Sequence, residues 1–348
     1  SESPAFEKMK AEMTLSKAPI SETFQGANLR RVLLALFSIL LAQGAVWYLA
    51  HFYAQFFLER VLKVDARLVN QLVMAAVVIS AGGYVFFGWL SDRWGRKPVM
   101  LLGMILSAGS AIPAFHMLTA AANPALPAAV AAAPVVIHAD ASDCHTQFDP
   151  LGRRKLLTAC DVMRTTLTDA GIPYSQQPPA GESAAQVAVG TVVVSGWNGQ
   201  LDTQAMQQRS QQLVRELREA LGSAGYPAKA DTNSVRVVPV LAILVLMMLA
   251  STALYGPQAA ALVELFPTRI RYTALSVPYN IGTGWVGGLL PVSAFALVAA
   301  RGDIYAGLLY PLVFTLISII CAVFFLPETR GIDLDRAGGQ APRSKELS

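Results

Sequence analysis

The chain has 348 residues, of which 54% are hydrophobic and 14% charged, and its mean hydropathy is +0.45. A charged share well below the roughly 25% of soluble domains excludes intrinsic disorder and argues against an ordinary soluble enzyme. The net charge of +4 is too small to point to nucleic acid, and three cysteines are too few for a disulfide scaffold or a zinc site.

The first segment, 1–31, is charged and Lys-rich, with no visible signal peptide. It opens on Ser1 rather than Met, so the native start is expected to be absent or removed. Six runs follow that contain no Asp, Glu, Lys or Arg: 32–58, 68–90, 98–118, 237–263, 272–300 and 304–327. Each matches the roughly 20 apolar residues that a helix needs to cross a bilayer core of about 30 Å. Together they hold 151 residues, so all 50 charges fall in the other 197, at the density of a soluble protein. Orientation follows from Lys and Arg in the short flanks. With the N-terminus inside, the inside segments hold 14 of them, and the short outside loops hold four, Arg60, Lys63, Arg67 and Arg301. Both termini are therefore expected to be cytoplasmic.

That topology puts 119–236 outside. It opens with an Ala/Pro-rich stretch, 120–134, read as a linker. The Val-rich pieces 135–138 and 187–195 read as β, and 151–170 and 203–221 as helices with Gly171 and Gly222 as C-terminal caps. The expectation is a small α+β domain. Cys144 and Cys160 both fall within it, and an oxidising compartment would favour their pairing as a disulfide. His138, Asp140, Asp143, Cys144 and His145 do not have the spacing of a metal site, so none is expected. No nucleophile–base arrangement is visible, so an enzyme is not expected either.

Three inside loops carry motifs. The first is Gly88-Trp89-Leu90-Ser91-Asp92-Arg93-Trp94-Gly95-Arg96-Lys97, the second Glu264-Leu265-Phe266-Pro267-Thr268-Arg269-Ile270-Arg271, and the third Pro327-Glu328-Thr329-Arg330-Gly331. They resemble, in order, the G-x-L-x-D-R-x-G-R-K, E-x-x-P-x-x-x-R and P-E-T-[KR]-G elements of the major facilitator superfamily. Tyr255-Gly256-Pro257-Gln258-Ala259-Ala260 running into Glu264, with Glu2-Ser3-Pro4 and Ser16-Lys17-Ala18-Pro19, is similar to that superfamily's metabolite:H+ symporters, the group of proline/betaine, shikimate and 2-oxoglutarate permeases. The resemblance implies an all-α polytopic membrane protein in which this chain supplies the C-terminal six helices, with a small α+β extracytoplasmic insert. On that reading 1–31 is the central cytoplasmic loop, 32–118 holds helices seven to nine, 119–236 is a periplasmic insert, 237–327 holds helices ten to twelve, and 328–348 is the cytoplasmic tail. It also implies a bacterial-type inner membrane, a missing N-terminal six-helix half, no cofactor, a proton as coupling ion and a small organic solute as cargo.

The motif chemistry stands apart from the name. Asp92 ends a helix at the interface, where a carboxylate can face the positive N-terminus of a neighbour. Arg93 and Arg96 are fork-shaped donors for carboxylates, and Glu264 and Glu328 are the acceptors on the same face. With Gly88, Gly95, Lys97, Arg269, Arg271 and Arg330 they form a candidate cytoplasmic gate, the alternative being solvated charges that serve topology alone.

Polar residues inside a span are costly unless they face the bundle interior or a cavity. Gln43, Trp47, Tyr48 and His51 in the first run, Asn70 and Gln71 in the second, Tyr255 and Gln258 in the fourth, and Tyr279 and Asn280 in the fifth are candidates to line a substrate cavity. For each the alternative is a helix–helix hydrogen bond. His51 has two open readings, a proton carrier titrating near pH 6.5 or a neutral hydrogen-bonded ring. Gly282-Thr283-Gly284-Trp285-Val286-Gly287 matches G-x-G-x-x-G, yet it sits in an apolar run with no strand before it. Close helix packing through Gly284 and Gly288 is the better reading. The leading function is proton-coupled symport by alternating access; the other class is a membrane-anchored periplasmic binding or sensing module with the helices as scaffold.

Overall fold

The computed structural model describes residues 18–145, 148, 158–179, 184–197, 202–268 and 270–331. Among the described residues, six helices are long and apolar enough to span a membrane: Gly26–Val61, Ala66–Trp94, Arg96–Ala122, Val237–Leu265, Arg271–Arg301 and Ala306–Phe325. They coincide with the six charge-free runs, as the need to satisfy every backbone polar group in hydrocarbon requires. The first and fourth spans are the most buried, and the second and sixth the most exposed.

The first span is not a uniform α-helix. It widens into π-helical turns at Leu36–Leu40, Leu49–Tyr53 and Phe57–Val61, and the fifth does so at Asn280–Gly287. Wide turns of this kind recur at functional sites. Pro278 stands two residues before the wide segment of the fifth span, and Pro291 is in the first turn of the helical piece Leu290–Arg301 beyond it. The two irregular spans touch backbone to backbone, because a side chain on Gly44 would collide with the Gly282 carbonyl and one on Gly282 with the Leu40 carbonyl. Gly287 is equally tight against the Tyr48 ring, whereas Gly284 faces open space. The packing glycines of this stretch are therefore Gly282 and Gly287, not the Gly284–Gly288 pair that sequence spacing favoured.

Between the third and fourth spans lies the α+β insert. Its sheet has the order β2-β1-β3-β4, from β1 (Val135–His138), β2 (Ser175–Gln177), β3 (Gln186–Val189) and β4 (Val192–Ser195). β1 runs parallel to β2 with Ile137 opposite Gln176, and antiparallel to β3 with Ile137 opposite Val187. The insert's helices are α1 (Ala125–Ala132), α2 (Ala159–Ala170) and α3 (Thr203–Ser223). Ile137, Val187, Met163, Leu167 and Leu217 are fully or almost fully buried between sheet and helices.

Two sequence expectations change here, the linker and the Gly222 cap, and two features are added. The stretch 120–134 is helical rather than a linker: the third span runs on to Ala122 and α1 follows, in keeping with the high helix propensity of alanine. The piece 187–195 is a hairpin, turned at Gly190 with φ +57°. Gly222 lies within α3, and the left-handed residue that ends the turn is Gly225, φ +83°. β2 was not foreseen, being short and made of Ser and Gln. Gly171 does cap α2 in the left-handed conformation, while 151–157 lie outside the described residues.

The insert is fastened to every loop at its end of the bundle. Ala230 N–H donates to the Lys63 carbonyl (3.0 Å), Tyr174 N–H to Gly302 (2.7 Å), Arg236 N–H to Ala121 (2.9 Å), and the Asn123 side chain to Leu62 (3.0 Å). Its apolar core is continuous with Phe57 and Phe115 of the spans.

The backbone crossing gives a direct test. Gly44→Ala inserts a methyl group where only a neighbouring carbonyl can yield, so a loss of about 1–3 kcal/mol is expected. A lower thermal midpoint in detergent for Gly44→Ala, with no such loss for Gly284→Ala, is the expected result; equal midpoints would show that the two spans do not cross there.

Candidate functional site

The end of the bundle opposite the insert gathers the three motif loops. The turn between the second and third spans is made by Gly95, whose φ of +106° suits glycine alone. A side chain there would also strike the Glu328 carboxylate. Glu328 arrives from just beyond the sixth span and accepts hydrogen bonds from the backbone N–H groups of Arg96 (2.8 Å) and Lys97 (3.1 Å), with a third from Arg330 (2.9 Å). A carboxylate thus seats on the first orphan donors of a long helix, where the helix dipole favours negative charge. Burial alone would push its carboxyl up, but backbone N–H bonds from Arg330, Arg96, Lys97 and Thr329 outweigh it and hold the group below the usual carboxylate range.

The Arg96 side chain joins the second span to the fourth. Its guanidinium bonds the Asp92 carboxylate at 2.5 Å and the buried Ser91 hydroxyl at 2.7 Å, and lies 3.6 Å from Glu264. The Arg96 and Glu264 side chains are each only 15% exposed, against 62% for Asp92, so water screens the Glu264 contact least. Ser91 in turn donates to the Gly88 carbonyl (2.7 Å), and Gly88 faces Gly256 of the fourth span. Lys97 Nζ donates to the Val323 carbonyl near the end of the sixth span (3.0 Å), and Arg330 donates to the Arg93 carbonyl. Arg271 holds its own loop through the Phe266 carbonyl and the Thr268 hydroxyl, both at 3.2 Å. Arg269 lies outside the described residues.

Two roles differ from the sequence reading. Glu328, rather than Asp92, faces the helix N-terminus; Asp92 pairs with the Arg96 side chain across the Gly95 turn. Arg93 grips no carboxylate among the described residues and stacks instead over the Trp89 ring, 4.2 Å from its centre. Ser91 and Trp89 are partners that sequence reasoning passed over, although both stand inside the motif.

The polar residues of the spans sort into three groups. Gln43 and Gln258 are buried and bonded to each other, Gln258 Nε2 to Gln43 Oε1 at 2.5 Å. They are a cross-link between the first and fourth spans rather than cavity wall. Trp47, Tyr48, His51 and Tyr255 are half-buried, Tyr279 is exposed, and Tyr84 of the second span joins them edge-on to Tyr255 at 6.4 Å. The Trp47 and His51 rings stack at 5.1 Å, and His51 Nδ1 lies 3.0 Å from the Trp47 carbonyl. A carbonyl only accepts, so Nδ1 carries the proton and Nε2 is left as an acceptor. Asn70 and Gln71 stand apart: Asn70 accepts from Gln55 (2.9 Å), and Gln71 faces a shallow groove with Met74 and Val78. Asn280 donates to the Ser276 carbonyl of its own span (2.8 Å).

In the insert, Cys144 and Cys160 are joined as a disulfide across 16 positions, with a Cα–Cα distance of 5.3 Å. Beside it the buried Asp161 carboxylate accepts from His145 Nδ1 (2.9 Å) and His145 N–H (2.8 Å). No group of three or more His, Cys, Asp or Glu with metal-binding geometry occurs among the described residues.

Comparison with known proteins matches two family models. The Major Facilitator Superfamily model covers residues 7–137, and the Sugar (and other) transporter model covers 220–338, so the segment between the matches lies within the insert. A similar protein is the glycine betaine/proline/ectoine/pipecolic acid transporter OusA of Dickeya dadantii, 36% identical over 105 residues. That stretch is 30% of this chain and 20% of the relative, so the match spans about a fifth of the relative's length. No solved structure matches.

The seat of Glu328 gives a pH test. Because its folded-state pKa is depressed, it contributes stability that is fully present above the ordinary carboxylate value and is lost as the pH falls through the folded value. The wild type should therefore have a higher thermal midpoint than Glu328→Gln at about pH 7, and the gap should shrink towards about pH 4. A gap that does not change with pH would contradict the charged seat.

Proposed function

Because the chain belongs to the major facilitator superfamily, we propose that it forms a six-helix half of a secondary active transporter that carries a small organic solute by proton-coupled symport and alternating access. The observation that carries the reading is the charged clasp: three separate loops meet at one end of the bundle around Arg96 and Glu328. A scaffold or anchor has no need for such a device, which argues against a binding or sensing module whose helices are inert. An enzymatic role has no comparable support.

On this reading the clasp is the cytoplasmic gate, the insert faces the periplasm, both termini are cytoplasmic and the membrane is a bacterial inner membrane. The excess of Lys and Arg in the loops at the clasp end supports that orientation. Trp47, Tyr48, Tyr84, Tyr255 and Tyr279 form the solute-facing side, and His51, with Nε2 open as an acceptor, is the proton carrier. Tyr84 and Tyr279 are 37% and 40% exposed, so a second six-helix half is the surface that closes over them. The wide turns at Leu49–Tyr53 and Asn280–Gly287 flank this side and supply spans that can change shape. From the matched relative we carry over only the class of small organic solute, and the Tyr255–Ala260 stretch before Glu264 supports the metabolite:H+ symporter branch.

The test is uptake of labelled glycine betaine or proline into cells expressing the whole protein from its gene, with an imposed pH gradient. Asp92→Asn should cut uptake at least about tenfold, in the range that conformational coupling energies of 1–3 kcal/mol allow, with membrane insertion unchanged. His51→Ala should remove the dependence on the gradient. Normal uptake by Asp92→Asn would remove the gate, and gradient-independent uptake by the wild type would remove proton coupling.

A further inference from the structure

The insert holds a feature that neither the clasp nor the polar side of the spans uses. A cleft of about 820 Å³ lies where α2, α3 and the loop between the first two spans meet. That volume is in the range of small-molecule sites. Three cations, Lys63, Arg215 and Arg218, line it against one carboxylate, Asp169, while Val214 and Pro227 are among its apolar walls.

The cations are differently prepared. Lys63 is the one non-glycine residue with positive φ among the described residues, +57°, a conformation that long side chains rarely adopt and that clusters at ligand clamps. Its carbonyl is pinned by Ala230 N–H, and its ammonium donates to the Asp169 backbone carbonyl. Of its three donors, two are left for a ligand. Arg215 and Arg218, one turn apart on α3, make no direct hydrogen bond or ion pair among the described residues. Partial burial pushes the Lys63 ammonium down and the Asp169 carboxyl up, while Asp169, Arg215 and Arg218 are exposed to solvent and open to a ligand. Arg60 adds positive charge nearby, since its field acts on both groups.

We propose that this cleft binds an organic anion, a carboxylate or phosphate group on an apolar body, with the head group held by Lys63, Arg215 and Arg218. The site is independent of the transport reading. Its place against the loop between two spans leaves two sources for that chemistry, an anionic lipid headgroup or a soluble acid.

The test uses the full chain in phosphatidylcholine nanodiscs, titrated calorimetrically with phenyl phosphate. Lys63→Asn keeps a residue that tolerates the left-handed backbone while removing the ammonium, and Arg215→Gln with Arg218→Gln removes the forks. Saturable binding by the wild type, weakened at least about tenfold in both variants and by added salt, is the expected result. Arg215→Gln alone serves as a milder variant should the double one not fold. No binding, or equal binding by all variants, would overturn the site. Repeating the titration with phosphatidylglycerol in the nanodisc identifies the source: loss of phenyl phosphate binding supports the site with a lipid headgroup as occupant, and unchanged binding supports it with a soluble acid.

Discussion

A single carboxylate settles how this chain closes at its charged end. Glu328 lies directly after the sixth span and caps the first donors of the third, so the last helix is tied to the turn between the second and third. The turn accepts it only because Gly95 has no side chain. From that seat the Arg96 side chain is directed back to Asp92 and across to Glu264, which brings in the fourth span. Four spans thus meet at this charge cluster, and no Asp, Glu, Lys or Arg lies in the six apolar runs of the bundle. In such a fold polar contacts do not supply bulk stability; they decide which helix ends stay together.

The opposite end is held by other means. There the insert is bonded backbone to backbone to the loops after the first, third and fifth spans, and its core runs into theirs. Half-way between, Gly44 and Gly282 let two irregular spans touch. One end is therefore a broad fixed joint and the other a small ionic clasp. The clasp, with Asp92 exposed and Arg96 and Glu264 largely buried, is the end proposed to open as the gate, and the cleft proposed to bind an organic anion lies at the fixed end.

Much of this was legible in the sequence, because the bilayer writes its demand in runs of about 20 residues without charge. The spans, the β1 strand and the cap at Gly171 follow from local pattern alone. What stayed hidden depends on contacts between distant segments. That Glu328 rather than Asp92 faces a helix N-terminus is decided by how a tail reaches a loop over 230 positions away. Gln43 and Gln258 look identical to cavity-lining residues in a one-dimensional reading, and only their mutual hydrogen bond shows them to be a cross-link. The Ala-rich stretch after the third span misled for the opposite reason: low complexity suggested a linker, while the residue type itself favours helix. The cleft at Lys63 was invisible, since its three cations come from two segments more than 150 positions apart.

The central claim is that Asp92, Arg96 and Glu264 act as one unit rather than as separate surface charges. A double-mutant cycle of Asp92→Asn and Glu264→Gln, read as unfolding free energy of the protein in a bilayer, tests it most directly. Both carboxylates share the Arg96 guanidinium, so the account predicts a coupling of at least about 0.5 kcal/mol. Effects that add to within about 0.3 kcal/mol would contradict it and leave these charges with a topological role alone.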